Sequence, residues 1–97
     1  MKRALKLHSK DSVAVVIDPV KAGDQVHVEN QVITALSDIP VPHKIAITDL
    51  APDQNVYKYG APIGYATQTI KVGDYVHNHN LDLARMIEAL ANKQTIN

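Results

Sequence analysis

"VKAGDQVH" at residues 20–27 and "IKVGDYVH" at residues 70–77 share Lys, Gly, Asp, Val and His at matching positions, each behind an aliphatic residue. A weaker third copy, "LAPDQNV", occupies residues 50–56. Each reads as a turn feeding a short strand, since Gly-Asp suits a turn and the following valines suit a pleated surface. Two explanations stand at this level: plain recurrence of good turn chemistry, or pseudo-symmetry between two halves of a small barrel. Both predict a compact all-β domain, with turn signals at the spacing of roughly 8–12 residues typical of short-strand folds.

The intervening segments agree. "ALKLH" (4–8) alternates, with Leu5 and Leu7 on one face. "SVAVVI" (12–17) is a β-branched run of the kind buried on both faces, and it stops at Asp18-Pro19. "QVHVEN" (25–30) and "QVITAL" (31–36) form a hairpin pair around Glu29-Asn30. "DIPVPHK" (38–44) carries Pro40 and Pro42, which lack the ladder donor, so it reads as an ordered loop delivering His43. "KIAITDL" (44–50), "NVYKY" (55–59), "YATQTI" (65–70) and "YVHNH" (75–79) are further strands. Gly60 and Gly64 mark a tight turn between edge strands, a structural role. No helix is expected after it to take a phosphate.

The tail changes period. "NLDLARMIEALANK" (80–93) places Leu83, Met86, Ile87 and Leu90 at helical spacing, as a packing face for either its own domain or another chain. Asn80 is the expected N-cap, with Asp82 in the first turn and fraying after Asn92. The predicted architecture is mainly β, a barrel of short strands over residues 1–81, with a C-terminal α-helix and tail over 82–97.

Composition narrows the function. Ten basic residues balance ten acidic ones in 97 residues, which argues against nucleic-acid binding. No segment reaches the roughly 20 apolar residues of a membrane span, and the start lacks the apolar core of a signal peptide. A cytoplasmic location is expected. There is no cysteine, so any metal site must use His, carboxylate or amide ligands.

His77 and His79 are the first candidates for chemistry. On a strand, alternation sets them on one face, roughly 7 Å apart. H-x-H alone also fits two polar residues at a strand end. Asn78 and Asn80 add donors and acceptors suited to hydroxyls. His43, presented by the proline loop beside Lys44, could hold a carboxylate or move a proton. His8 and His27 read as plain surface. With no carboxylate cluster present, the chain is expected to supply only part of an active site.

The stretch "HKIAITDLAPDQNVYKYGAPIGYATQTIKVGDYVHNHNL" (43–81) resembles the N-terminal domain of the altronate and galactarate dehydratase family. The matching positions are His43-Lys44, Ala46, Asp49-Leu50, Val56, Lys58-Tyr59-Gly60, Ile63-Gly64, Ala66, Gly73, Val76-His77 and His79-Asn80. Resemblance to this family implies a fold of the SAF or β-clip type, fused to or partnered with a large catalytic dehydratase chain that removes water from a sugar acid. On that footing His77, His79 and His43 are the expected catalytic residues, and Lys44, Asn78 and Asn80 contact substrate. His77 and His79 are also candidate metal ligands. The family implies a divalent metal, ferrous iron, in the assembled enzyme and none for the chain by itself. Self-association is left open. Two alternatives stand beside this one: the small subunit of a sulfolactate sulfo-lyase, and a non-catalytic SAF-type binding module.

Overall fold

A computed structural model describes residues 1–95. The strands are β1 (Lys2–Leu5), β2 (Val13–Val16), β3 (Gln25–Val28), β4 (Gln31–Thr34), β5 (Lys44–Ala46), β6 (Asn55–Lys58), β7 (Ala61–Ala66), β8 (Tyr75–Val76) and β9 (Leu81–Asp82), followed by helix α1 (Leu83–Thr95). One sheet has the order β4-β3-β1-β2-β5-β8 and curls into a half barrel; the other runs β6-β7-β9. The expected class, mainly β with one C-terminal helix, is the class observed.

The repeated turn organises both sheets, and it occurs four times. Val20 and Ile39 exchange backbone hydrogen bonds of 3.1 and 2.9 Å, and Leu50 and Ile70 do the same at 2.8 and 2.9 Å. All four side chains are buried. Each bridge residue leads into a turn in which the fourth residue on donates its N–H to the carbonyl just past the bridge: Asp24 to Lys21, His43 to Pro40, Gln54 to Ala51 and Asp74 to Lys71. In three turns the side chain at that position also accepts a backbone N–H: Asp24 from Lys21, Gln54 from Ala51, Asp74 from Lys71, at 2.7–2.9 Å. Asp38 and Asp49 brace the neighbouring turns by accepting from the N–H groups of Ala22 and Val72. The recurrence is therefore pseudo-symmetric. The copy at 39–45 escaped the sequence because Pro42-His43 stands in place of the Gly-Asp signature and Pro40 in place of the lysine.

Two apolar clusters match the two halves. Val26, Ile33, Ile39 and Ile45 belong to one; Leu50, Val56, Ile70 and Val76 belong to the other. The central strands serve both. Ala14 and Val16 of β2 face the first cluster and Val13 the second, while Ile45 and Ala46 of β5 divide likewise. This is why "SVAVVI" is apolar without alternation.

Several local expectations change. In β1 it is Ala4 that is buried, and Leu5 is 50% exposed, because β1 lies between β2 and β3 with Ala4 turned into the core. Of the α1 stripe, whose packing partner the sequence left open, only Met86 is buried within the chain, while Leu83, Ile87 and Leu90 are about half exposed. The helix is held by Met86 and by Arg85, which pairs with Asp53 at 2.7 Å and lies 4.3 Å from the Tyr65 ring centroid. Its cap is Asp82, whose Oδ1 accepts the Arg85 N–H at 2.8 Å; Asn80 is committed elsewhere. Helix extends through Thr95, past the expected fraying point; residues 96–97 of the tail lie outside the described residues. The Gly60 hairpin is structural, as expected: buried Asp11 accepts the N–H groups of Tyr59 and Gly60 at 3.0 and 2.8 Å.

Equivalent glycines give a test of the turn. Gly23 and Gly73 have φ of 91° and 97°. A Cβ on Gly23 meets nothing within 4 Å, whereas one on Gly73 would sit 2.2 Å from the Thr34 carbonyl oxygen. Both alanine variants incur left-handed strain of about 1–2 kcal/mol, and Gly73→Ala must also displace β4. At about 4–8 °C per kcal/mol for a domain of this size, Gly23→Ala is expected to lower Tm by about 8 °C and Gly73→Ala by at least twice that. Equal losses in thermal melts would show that the Thr34 approach is unimportant.

Candidate functional site: a histidine–tyrosine cluster beside a cationic groove

His43 is where the repeat breaks. Its equivalents Asp24, Gln54 and Asp74 turn back to cap an N–H three residues earlier. The residue three before His43 is Pro40, which has no N–H to cap. The imidazole is thereby released from the turn. It reaches the neighbouring strand, where its Nδ1 shares a 2.5 Å hydrogen bond with the Tyr75 hydroxyl. A neutral ring accepting that hydroxyl carries its proton on Nε2; a protonated ring donates from both nitrogens.

The β5–β8 register assembles the rest. Lys44 pairs with Val76 and Ile45 with Tyr75, so one step further His43 faces His77. Their ring centroids are 4.7 Å apart. Tyr75 stacks on His77 at 5.6 Å and 10°, and lies 5.5 Å from the His79 ring. The three expected catalytic histidines thus gather around one tyrosine. The reason differs from strand alternation: β8 ends at Val76, and His77 to Asn80 form a bend and turn.

Asn80 holds that turn. It is buried, its Oδ1 accepts the His77 N–H at 2.9 Å, and its Nδ2 donates to the Tyr75 carbonyl at 2.8 Å. Its own backbone N–H donates to the His77 carbonyl. The Asn80 side chain, expected to contact substrate, is engaged with the backbone and shapes the histidine loop. Asn78, by contrast, is exposed and lines a groove.

The groove is an open cleft of about 940 Å³ between β5, the β6–β7 hairpin and the start of α1. His77, Asn78, Lys44 and Lys58 supply polar groups, over apolar walls that include Ile63, Leu81 and Met86. His43 and His79 lie outside its lining, behind His77. His8 and His27 are surface residues remote from this cluster, as expected. Tyr75 and Lys58 were the members that residue-level reading did not single out as site residues. Both stood inside quoted motifs, but nothing in their spacing tells a ligand from a strand residue.

Electrostatics favour neutral His77. Loss of hydration pushes its pKa below the ordinary 6.5, and the nearby charges of His43, Lys44 and His79 push the same way. The Lys44 pKa is also lowered, first by burial and then by Lys58. A metal is a poorer fit: among the described residues no three His, Asp or Glu groups converge as ligands. A site using His77 and His79 would need ligands from outside this chain.

Residues 2–84 match the family described as the altronate/galactarate dehydratase SAF domain, and the chain belongs to that family. It is 46% identical over 76 residues to altronate dehydratase of Escherichia coli (strain K12), covering 78% of this chain and 15% of that protein. Against altronate dehydratase of Bacillus subtilis (strain 168) it is 35% identical over 80 residues, 82% of this chain and 16% of the relative. It is also 49% identical over 47 residues to (2R)-sulfolactate sulfo-lyase subunit alpha of Chromohalobacter salexigens, 48% of this chain and 50% of that one. The chain therefore spans about a sixth of the altronate dehydratases it matches. No helix among the described residues is long and apolar enough to cross a membrane.

Two measurements check the site. In an NMR pH titration His77 is expected to titrate below 6.5, and His43→Ala or Lys44→Met should raise its midpoint by removing a positive neighbour. The sign carries to stability: as pH falls through the ordinary histidine range the unfolded chain takes up the His77 proton first, so this contribution is lost on acidification. A His77 midpoint at or above 6.5 would contradict the assigned surroundings. Asn80→Ala leaves two backbone partners unpaired and should cost about 1–3 kcal/mol in urea unfolding.

Proposed function

We propose that this chain is the SAF component of a sugar-acid dehydratase of the altronate dehydratase type, contributing acid–base groups to a site completed by a larger catalytic chain. The observation that carries the reading is the convergence of His43, Tyr75, His77 and His79 beside an open groove with a lysine at its edge.

The reaction removes a proton from the carbon next to the carboxylate and a hydroxide from the following carbon. Electrons of the broken C–H bond form the new double bond, and the enol product then tautomerises to a 2-oxo acid. Neutral His77 suits the base, since its lowered pKa keeps the imidazole unprotonated near pH 7. His43, hydrogen-bonded to Tyr75, and His79 suit proton delivery to the departing hydroxide. Lys44 balances the substrate carboxylate and Asn78 meets hydroxyls. Where the assembled enzyme uses a divalent ion such as ferrous iron, the larger chain supplies the missing ligands, and the ion's contribution is to stabilise charge on the carboxylate and leaving oxygen.

One observation favours a second reading, similarity to the sulfo-lyase alpha subunits, which includes 40% identity over 53 residues to that of Paracoccus pantotrophus. Loss of sulfite from sulfolactate uses the same proton abstraction with a different leaving group, so the same histidine base serves.

The test is co-expression with the large chain and an altronate dehydration assay with ferrous iron, large chain alone against the pair. Activity is expected only in the pair, and His77→Ala with His79→Ala should cut it by about 100-fold or more while circular dichroism is unchanged. Equal activity without this chain would make it a non-catalytic module. Sulfite release from sulfolactate, with altronate untouched, would establish the second reading.

A further inference from the structure

Lys58 carries a consequence that the histidines do not. It ends β6, on the opposite side of the groove from α1, and it lines the groove together with Lys44 of β5. Neither lysine is fully exposed. Among the described residues, neither ammonium has an ion-pair or hydrogen-bond partner; the three ion pairs are Arg3–Asp18, Lys21–Asp38 and Arg85–Asp53. The groove's single lining carboxylate is Asp82, and its Oδ1 is occupied as the cap of α1. The fourth ionisable lining group is His77.

Two ammonium groups thus share one partly desolvated cleft with a single carboxylate, Asp82, which caps α1 and is ion-paired with neither of them, over apolar walls that strengthen any electrostatic contact made there. Natural surfaces seldom leave like charges together at the rim of an apolar cleft unless something anionic enters it. The anion must be compact, because the two lysines line the same groove from different sheets, β5 and β6, and Lys58 stands near enough to Lys44 to repel its charge, so one small anion between them meets both. Its remainder must be polar, because Asn78, Thr67 and His77 lie along the same cleft.

We propose that Lys44 and Lys58 form a two-lysine clamp for the carboxylate of a polyhydroxy acid, with Lys58 a specificity-determining residue for anionic over neutral polyols. The choice of a sugar acid rests on the proposed function; the clamp itself rests on the groove. A carboxylate held there places the adjoining carbon toward His77, the other basic group that lines the groove. The same clamp rejects neutral sugars, because nothing in them offsets the repulsion between the two ammonium groups.

The experiment is titration of the chain with sodium altronate at constant ionic strength, followed through backbone amide shifts, with sorbitol as the neutral control. Saturable shifts are expected at Lys44, Lys58 and His77 with altronate and not with sorbitol. Lys58→Gln should weaken binding by about fivefold, the scale of one partly exposed charge-assisted contact, and Lys58→Arg should restore most of it. Unchanged spectral dispersion in the variants verifies the fold. Equal response to sorbitol, no saturable shift with altronate, or an affinity indifferent to Lys58→Gln would overturn the clamp. A chain that binds altronate through Lys58 yet adds nothing to the large chain's turnover would leave the clamp standing and sink the proposed function. An active pair whose KM ignores Lys58→Gln would do the reverse.

Discussion

The reciprocal bridges between Val20 and Ile39 and between Leu50 and Ile70 are the constraint on which the other elements depend. Strands of two to six residues bury too little to persist alone, and their ladders contribute few bonds. Each bridge fixes two turns at once, back to back, with an aliphatic side chain driven into the core from either side. The turn that follows each bridge launches the next strand at a set angle, and its carboxylate or amide cap holds that angle against the pull of solvent on the free N–H groups. Sheet register, the division into two apolar clusters and the shared central strands follow from this geometry.

The site arises where this scheme is interrupted. Three turns consume their fourth residue as a cap. In the remaining one Pro40 removes the N–H, a histidine replaces the capping residue, and the freed ring finds Tyr75 across the β5–β8 pair. A repeat that is uniform in its stabilising role is thus made chemical at one position. Asn80 completes the arrangement by spending its amide on the backbone of residues 75 and 77, which holds the turn in which His77 and His79 both lie beside Tyr75.

Charge is distributed to match. Lost hydration, with the nearby charges of His43, Lys44 and His79, lowers the His77 pKa and favours its neutral form, and Lys58 acts on Lys44 in the same sense. The apolar part of the groove continues onto the half-exposed Leu83 and Ile87 of α1. A histidine held neutral, two lysines without ion-pair partners and an apolar wall in one cleft are the parts from which the proposed acid-recognising site is built, in a chain that corresponds to a sixth of its dehydratase relatives.

The sequence by itself determined the class of fold, because hydrophobic alternation and turn chemistry are local signals: two copies of the Gly-Asp turn, the proline loop and the change of period before α1 were all legible. It also pointed to His43, Lys44, His77 and His79, through motifs in a fixed order. Its errors were of a different kind. Ala4 against Leu5 and the cap at Asp82 instead of Asn80 depend on which neighbour an element meets, and no short window of residues holds that information. Only the tertiary structure decided that Tyr75 joins the three histidines, that Lys58 stands beside Lys44, and that Asn80 faces inward. Each of these is a contact across strands 5 to 32 residues apart, set by the register of β5 on β8 and by bridges whose partners lie some 20 residues apart in the chain.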